Sequence, residues 1–188
     1  MLTNIELETA TDLVGRGQER LDAEEISLGD ANGRVLAEDV FAALDQPAFP
    51  RSPLDGYALI AADSEGASEE TPVKLRVVEK IYAGDWTDRR VERGETVRLM
   101  TGAVIPEPCD CVIRQEDTDG GEETVSVRQS LRQWQNYCFQ GEDYKRGTLL
   151  LPASRRLDPA AMAVLASAGI STVRAVRKPI VSIVSTGN

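Results

Sequence analysis

The stretch "FPRSPLDGYAL", Phe49 to Leu59, sets loop chemistry directly against strand chemistry. Pro53 fixes its own φ and pushes Ser52 toward an extended backbone. Asp55-Gly56 then reads as a turn, and "GYALIAA" (56–62) as the start of a β-strand. Flanking prolines stiffen the loop, so the Asp55 carboxylate is held at a corner, and Gly56 lets the backbone approach something closely. Two readings follow: Asp55 caps its own turn, or a rigid loop presents a carboxylate to a cation or an activated water.

Downstream the β texture continues. "VKLRVVEKI" (73–81), "ETVRLM" (95–100), "CVIRQE" (111–116) and "TVSVR" (124–128) are short β-type runs between turn signals. Alternation in the first and last predicts sheets with one wet face. Asp119-Gly120-Gly121, between two of these runs, predicts a hairpin. Outside this all-β segment the pattern changes. "NIELETATDLVGRGQERLDAEE" (4–25) predicts a helix of moderate quality, interrupted by Gly15 and Gly17. "ANGRVLAEDVFAAL" (31–44) turns at Asn32-Gly33 into a strand near residues 39–43. "LDPAAMAVLASAGI" (157–170) has Asp158 as N-cap, Pro159 at the first helical position and Gly169 past the last turn. Met162, Leu165, Ala166 and Gly169 are expected on one face of that helix. "KPIVSIVSTGN" (178–188) reads as a buried-type strand, and the chain is expected to be cut there, because such a strand normally leads into a crossover helix.

Three further stretches bear on chemistry. "RLMTGAVIPEPCDCVIRQED" (98–117) places Thr101-Gly102-Ala103 after a strand, where N–H groups and a hydroxyl converge on an oxyanion, unless it is a plain connection. "QGEDYKRGTLLLP" (140–152) offers Glu142 and Asp143 to a cation or a neighbouring loop, with a simple Asp143-capped turn as the alternative. "SIVSTGN" (182–188) ends a strand in a glycine turn, where open α/β sheets bind ligands. Cys109-x-Cys111 reads as structural, since alternate strand residues face opposite ways and three cysteines fall short of a four-ligand zinc site.

The chain of 188 residues carries 21 basic and 31 acidic residues, a net charge of −10. That excludes a nucleic-acid partner on electrostatic grounds. Histidine is absent, which excludes histidine triads and the common zinc enzymes. No apolar stretch is long enough to span a membrane, no signal-peptide layout opens the chain, and three cysteines form no framework pattern. A cytoplasmic location is expected.

In their order and spacing these motifs resemble the MoeA/gephyrin E-domain family, the molybdopterin molybdotransferases, over nearly all of the chain. Ser52-Pro53-Leu54-Asp55-Gly56-Tyr57-Ala58 is similar to the family's Ser-x-Met-Asp-Gly-Tyr-Ala, with Leu54 for Met. Met100-Thr101-Gly102-Ala103 with Pro106, Gly141-Glu142-Asp143 and Ser185-Thr186-Gly187-Asn188 match three more family motifs.

The resemblance implies an α+β chain with three parts. Residues 1–46 and 143–178 would form a discontinuous helical/mixed dimerisation lobe, and 47–142 an all-β domain of coiled, bifurcated sheets. Residues 179–188 would begin an α/β (MogA-like) pterin-binding domain, otherwise missing. It implies insertion of molybdate into adenylylated molybdopterin with release of AMP, by a homodimer using Mg²⁺ or another divalent cation, with the chain inactive alone. Asp55 and Thr101 would be catalytic, and Ser52, Gly56, Tyr57, Gly102, Ser185, Thr186 and Gly187 would bind substrate. Asp55 and Asp143 would hold the metal. One departure is Cys138 in Asn136-Tyr137-Cys138, where the family has Asn-Ile/Val-Arg, which removes an anion-binding fork. A scaffold module like the gephyrin E domain, or a homologue handling tungstate, are the alternatives.

Overall fold

A computed structural model describes residues 5–16 and 21–183. Their elements, in chain order, are α1 (Leu7–Arg16), β1 (Ala23–Ser27), β2 (Val40–Phe41), β3 (Gly56–Leu59), β4 (Val73–Ile81) and β5 (Glu95–Leu99). Then come β6 (Cys111–Arg114), β7 (Thr124–Val127), β8 (Leu149–Leu151), α2 (Pro159–Ser167) and β9 (Thr172–Val176). The fold is mostly β with few helices. No helix among the described residues is long and apolar enough to cross a membrane. The chain divides into two compact units, one from residues up to Phe41 together with Leu149 onward, the other Ala42–Thr148.

In the first unit β1 pairs antiparallel with β9, Ile26 opposite Val173, and β2 with β8. The nearly buried Arg34 donates to Glu24 Oε1 at 2.5 Å and to the Val176 carbonyl at 2.8 Å, tying this β1–β9 ribbon to the turn after residue 33. Helix α2 starts as its sequence dictates: Asp158 Oδ1 accepts the Ala161 N–H at 2.8 Å, Pro159 takes the first turn, and Gly169 follows with φ +75°. Its inward face differs from the expected one. Ala161 and Leu165 are buried against Ala31, Leu36, Leu157 and Val173, whereas Ala166 and Gly169 are exposed.

Two local expectations give way to pairing. The helix expected over 4–25 ends at Arg16 within the described residues, and Ala23–Ser27 is strand because β9 offers it a ladder. The strand expected at 178–188 is absent over 178–183, where Ile180, Val181 and Ile183 are exposed and no described strand pairs with them. The first unit thus holds two short ribbons as well as helices.

The second unit is built on a five-stranded sheet of order β6-β3-β5-β4-β7. The predicted runs form strands, but the predicted hairpin does not. β6 pairs with β3 and β7 with β4, at opposite edges, and the turn at Gly120 leaves only a lone bridge between Thr118 and Val127. The link 115–123, which reaches about 30 Å when extended, is long enough to join the opposite edges of five strands about 4.8 Å apart. Both faces are packed. Ala58, Val97, Leu99 and Val112 lie in one apolar core, and Tyr57, Leu59, Leu75 and Val125 in the other. Cys109 and Cys111 fall in different cores, as their spacing requires, and burial pushes both thiols up to about 12.

Candidate functional site

The loop 49–55 lies as an extended rung between two other segments of the second unit. Arg51 bridges to Val104 on one side and to Cys138 on the other. The Ser52 N–H donates to the Ala103 carbonyl at 2.9 Å, the Gly102 N–H to the Ser52 carbonyl at 2.8 Å, and the Ile105 N–H to the Pro50 carbonyl at 3.0 Å. Arg51 and Cys138 exchange backbone bonds of 3.0 and 3.2 Å. The proline-set extended conformation of Ser52 makes this pairing possible. Three motifs far apart in sequence thereby become neighbours.

At the end of this ladder stands Asp55. Its Oδ1 accepts both the backbone N–H and the hydroxyl of Thr101, each at 2.7 Å. Asp55 is exposed, yet the Thr101 amide, then the Thr101 hydroxyl, and last the Arg98 guanidinium hold its carboxyl below the usual value. Oδ2 has no partner among the described residues. Of the two readings of the turn, the self-capping one gives way: Asp55 caps a different loop from its own.

The Thr101 loop is correspondingly not an open oxyanion cradle. Both Thr101 donors go to Asp55, the Gly102 N–H to Ser52, and the Ala103 N–H to the Met100 carbonyl at 2.9 Å. Gly102 has φ +86°, which a side chain would strain, so glycine shapes the corner. Thr101 acts here as the residue that positions Asp55.

Ser52 is buried, its hydroxyl donating to the Leu54 carbonyl at 2.6 Å. Gly56 and Tyr57 are also inside. A Cβ on Gly56 would lie 1.9 Å from the Ile113 carbonyl, so the close approach expected of this glycine is to strand β6. The Tyr57 ring is fully buried, with its hydroxyl donating to the Gly121 carbonyl at 3.0 Å. Neither residue offers a surface to a ligand, because both complete the sheet. Asp143 is exposed; its N–H donates to the Gln46 carbonyl at 2.9 Å, and no bond or ion pair joins it to Asp55 among the described residues. Ser185, Thr186 and Gly187 lie outside the described residues.

Among the described residues no group of three or more His, Cys, Asp and Glu side chains could hold a metal ion. The free oxygen of Asp55 could supply one carboxylate ligand. That donor set suits a cation held mainly by substrate phosphates and water, as Mg²⁺ commonly is, and does not form a cage by itself.

Three residues escaped the sequence reading. Arg98 donates to Gln115 Oε1 at 2.7 Å and lies over the Tyr57 ring at 5.8 Å, with its side chain 14% exposed. It brings positive charge beneath Asp55. Asp45 fastens the loop around Asp143 by accepting from Gln140 Nε2 at 3.0 Å and from the Arg146 N–H at 2.8 Å. Arg51 contacts the Cys138 thiol, which burial pushes up and which also meets Glu142, so a guanidinium does stand beside the position that lacks one. Alternation could have flagged Arg98 as an inward charge on a strand; the other two depend on tertiary pairing.

Comparison with known proteins identifies the family. A family profile described as "MoeA N-terminal region (domain I and II)" matches residues 5–169. A Bacillus subtilis protein named molybdopterin molybdenumtransferase is 38% identical over 189 residues, covering 98% of this chain and 44% of its own length. A Staphylococcus epidermidis protein of the same name is 38% identical over 163 residues, covering 87% of this chain and 39% of its own. The chain thus spans less than half the length of these relatives. A crystal structure of a molybdopterin biosynthesis MoeA protein from Pyrococcus horikosii superposes with TM-score 0.84 at 32% identity, over 93% of this chain and 45% of that one. A fold mostly of strands, a matching profile and relatives at this identity converge: the chain belongs to the MoeA family, as its N-terminal region.

Proposed function

We propose that the chain is the N-terminal part of a molybdenum-inserting enzyme of molybdenum cofactor biosynthesis, acting on molybdate and adenylylated molybdopterin with release of AMP. The observation that carries this reading is the Asp55–Thr101 contact, which unites the two most specific family motifs at one exposed corner. Relatives bearing the name molybdopterin molybdenumtransferase support it.

The chemistry follows from charge. Molybdate and phosphate are anions, so an ionised carboxylate faces them only across a cation. Asp55 holds a divalent ion, Mg²⁺ being the expected one, with Asp143 as the second carboxylate of this reading. The bound cation would neutralise charge on the anhydride being cleaved and on the oxyanion. Thr101 fixes the carboxylate's direction and keeps it ionised, and Arg98 adds to that field. Gly102 and Ser52 shape the corner through their backbone bonds. Ser185, Thr186 and Gly187 carry the rest of the substrate contact, with segments that longer relatives possess.

The protein works as a cytoplasmic homodimer in this reading. Exposed Leu7 and Leu13, apolar side chains on α1, support a partner there. AMP release from adenylylated molybdopterin, with molybdate and Mg²⁺, tests the proposal. Release is expected from a version extended through the length of the relatives and not from this chain alone. A folded extended protein that releases none overturns it.

A further inference from the structure

Strands β4 and β5 run parallel, so the chain must travel back along the sheet between them. It does so through residues 82–94, which fold over the end of the ladder opposite Asp55. There a groove of about 520 Å³ opens, walled by Phe49, Pro50, Trp86, Ile105, Pro106 and Tyr137. Trp86 is 65% exposed and meets Phe49 edge to face, ring centroids 5.9 Å apart. Tyr137 continues the aromatic surface to Trp134 at 5.0 Å and Phe139 at 4.9 Å. Three of the chain's nine aromatic side chains (two Trp, four Tyr, three Phe) thus line the groove, and two more adjoin Tyr137. In a chain so poor in aromatics, that concentration selects a ligand with a flat π-face.

Charged groups line the groove too: Arg89 and Arg90 together with Asp88, which accepts from Trp86 Nε1 at 3.1 Å, and Glu107, 3.8 Å from Arg90. Arg89 has no carboxylate partner among the described residues and is the guanidinium available to an anion. The groove has the volume of a small-molecule site, and its floor, with Val104, Ile105 and Cys109, is part of the packed core and so preformed.

We propose that this groove binds the planar heterocycle of an anionic ligand, a purine or pterin bearing phosphate, stacked on Trp86 with the phosphate toward Arg89 and Arg90. Stacking on an aromatic platform and a guanidinium fork on phosphate are the two halves of such recognition. Pro50 and Asp55 are separated by at most about 17 Å of extended chain. That distance is short enough for one extended substrate molecule to reach both groove and carboxylate. The choice of ligand rests on the proposed function, whereas the test reads binding.

The chain labelled with 5-fluorotryptophan gives two ¹⁹F resonances, assigned through Trp134→Phe. Adenosine monophosphate, neopterin monophosphate and inorganic phosphate are titrated separately. The Trp86 signal is expected to shift saturably with one of the first two, which identifies the ring, and to shift more than that of Trp134. Inorganic phosphate should leave it in place, and the Arg89→Ala/Arg90→Ala double variant should weaken binding by about tenfold. A Trp86 signal unmoved by both ring compounds at millimolar concentration, or moved equally by inorganic phosphate, overturns the proposal. So does a larger response at Trp134, or unchanged affinity in the double variant. Should Asp55 prove essential for AMP release while Trp86 stays silent, the groove falls and the catalytic reading stands.

Discussion

Thr101 gives both of its donors, amide and hydroxyl, to the same oxygen of Asp55, each over 2.7 Å. Two loops are locked together by one carboxylate, and the carboxylate is in turn kept charged. Thr101→Val removes the hydroxyl and keeps the amide. The Asp55 pKa should then rise toward its ordinary value, followed by ¹³C NMR titration of the carboxyl. The sign is fixed by which form the donors favour. They bind the anion, so their contribution to stability is present above the ordinary carboxylate pKa and fades as pH falls through the lowered one. An unchanged midpoint in the valine variant would show that the hydroxyl contributes nothing.

Gly56→Ala is expected to destabilise the second unit. Its Cβ would press on the Ile113 backbone at 1.9 Å, where no flexible side chain can yield. Overpacking of this kind costs roughly 1–3 kcal/mol. Urea denaturation would read this as a lower midpoint, and a wild-type midpoint would mean that β3 and β6 separate easily.

The three thiols should differ in reactivity. Cys109 and Cys111 are buried and stay protonated to about pH 12, whereas Cys138 is half-buried. In the native protein near neutral pH, a thiol reagent should label Cys138 first, the other two reacting only after denaturation. Equal labelling of all three would contradict the two-core packing.

Asp158→Ala removes the cap of α2 and should cost about 0.5–2 kcal/mol, whereas Asp158→Asn should cost less, because the amide oxygen still accepts from Ala161. Thermal unfolding of the two variants separates the cap from the charge. Equal losses would indicate that the charge matters more than the hydrogen bond.

These residues also show what a sequence discloses. The α2 cap, its proline and its closing glycine act within a few positions, so they were readable directly. The strands of the sheet were readable for the same reason, from alternation and turn residues. Partner choice was not: Asp119-Gly120-Gly121 carries a good hairpin signal, yet β7 pairs with β4 and β6 with β3, each over four residue pairs, against a single bridge across the turn. Ala23–Ser27 was lost to a helix pattern for want of knowing that β9 would meet it. The Ser52–Tyr57 motif was legible as special, but its division of labour was hidden. Tyr57 and Gly56 serve the sheet, and Asp55 faces outward from it. Trp86 was invisible as a site residue, since its groove arises only from the crossover that parallel pairing imposes.

The central claim is that the Asp55 charge, rather than its hydrogen bonds, serves the reaction. Asp55→Asn separates the two, since the amide oxygen still accepts from Thr101 while the anion is gone. In a protein extended through the length of the relatives, AMP release is measured for wild type and variant alongside thermal unfolding. A fall of about 10²-fold or more with an unchanged unfolding midpoint is the expected result. Wild-type AMP release from a folded Asp55→Asn protein would contradict the claim and leave Asp55 as a clamp between two loops.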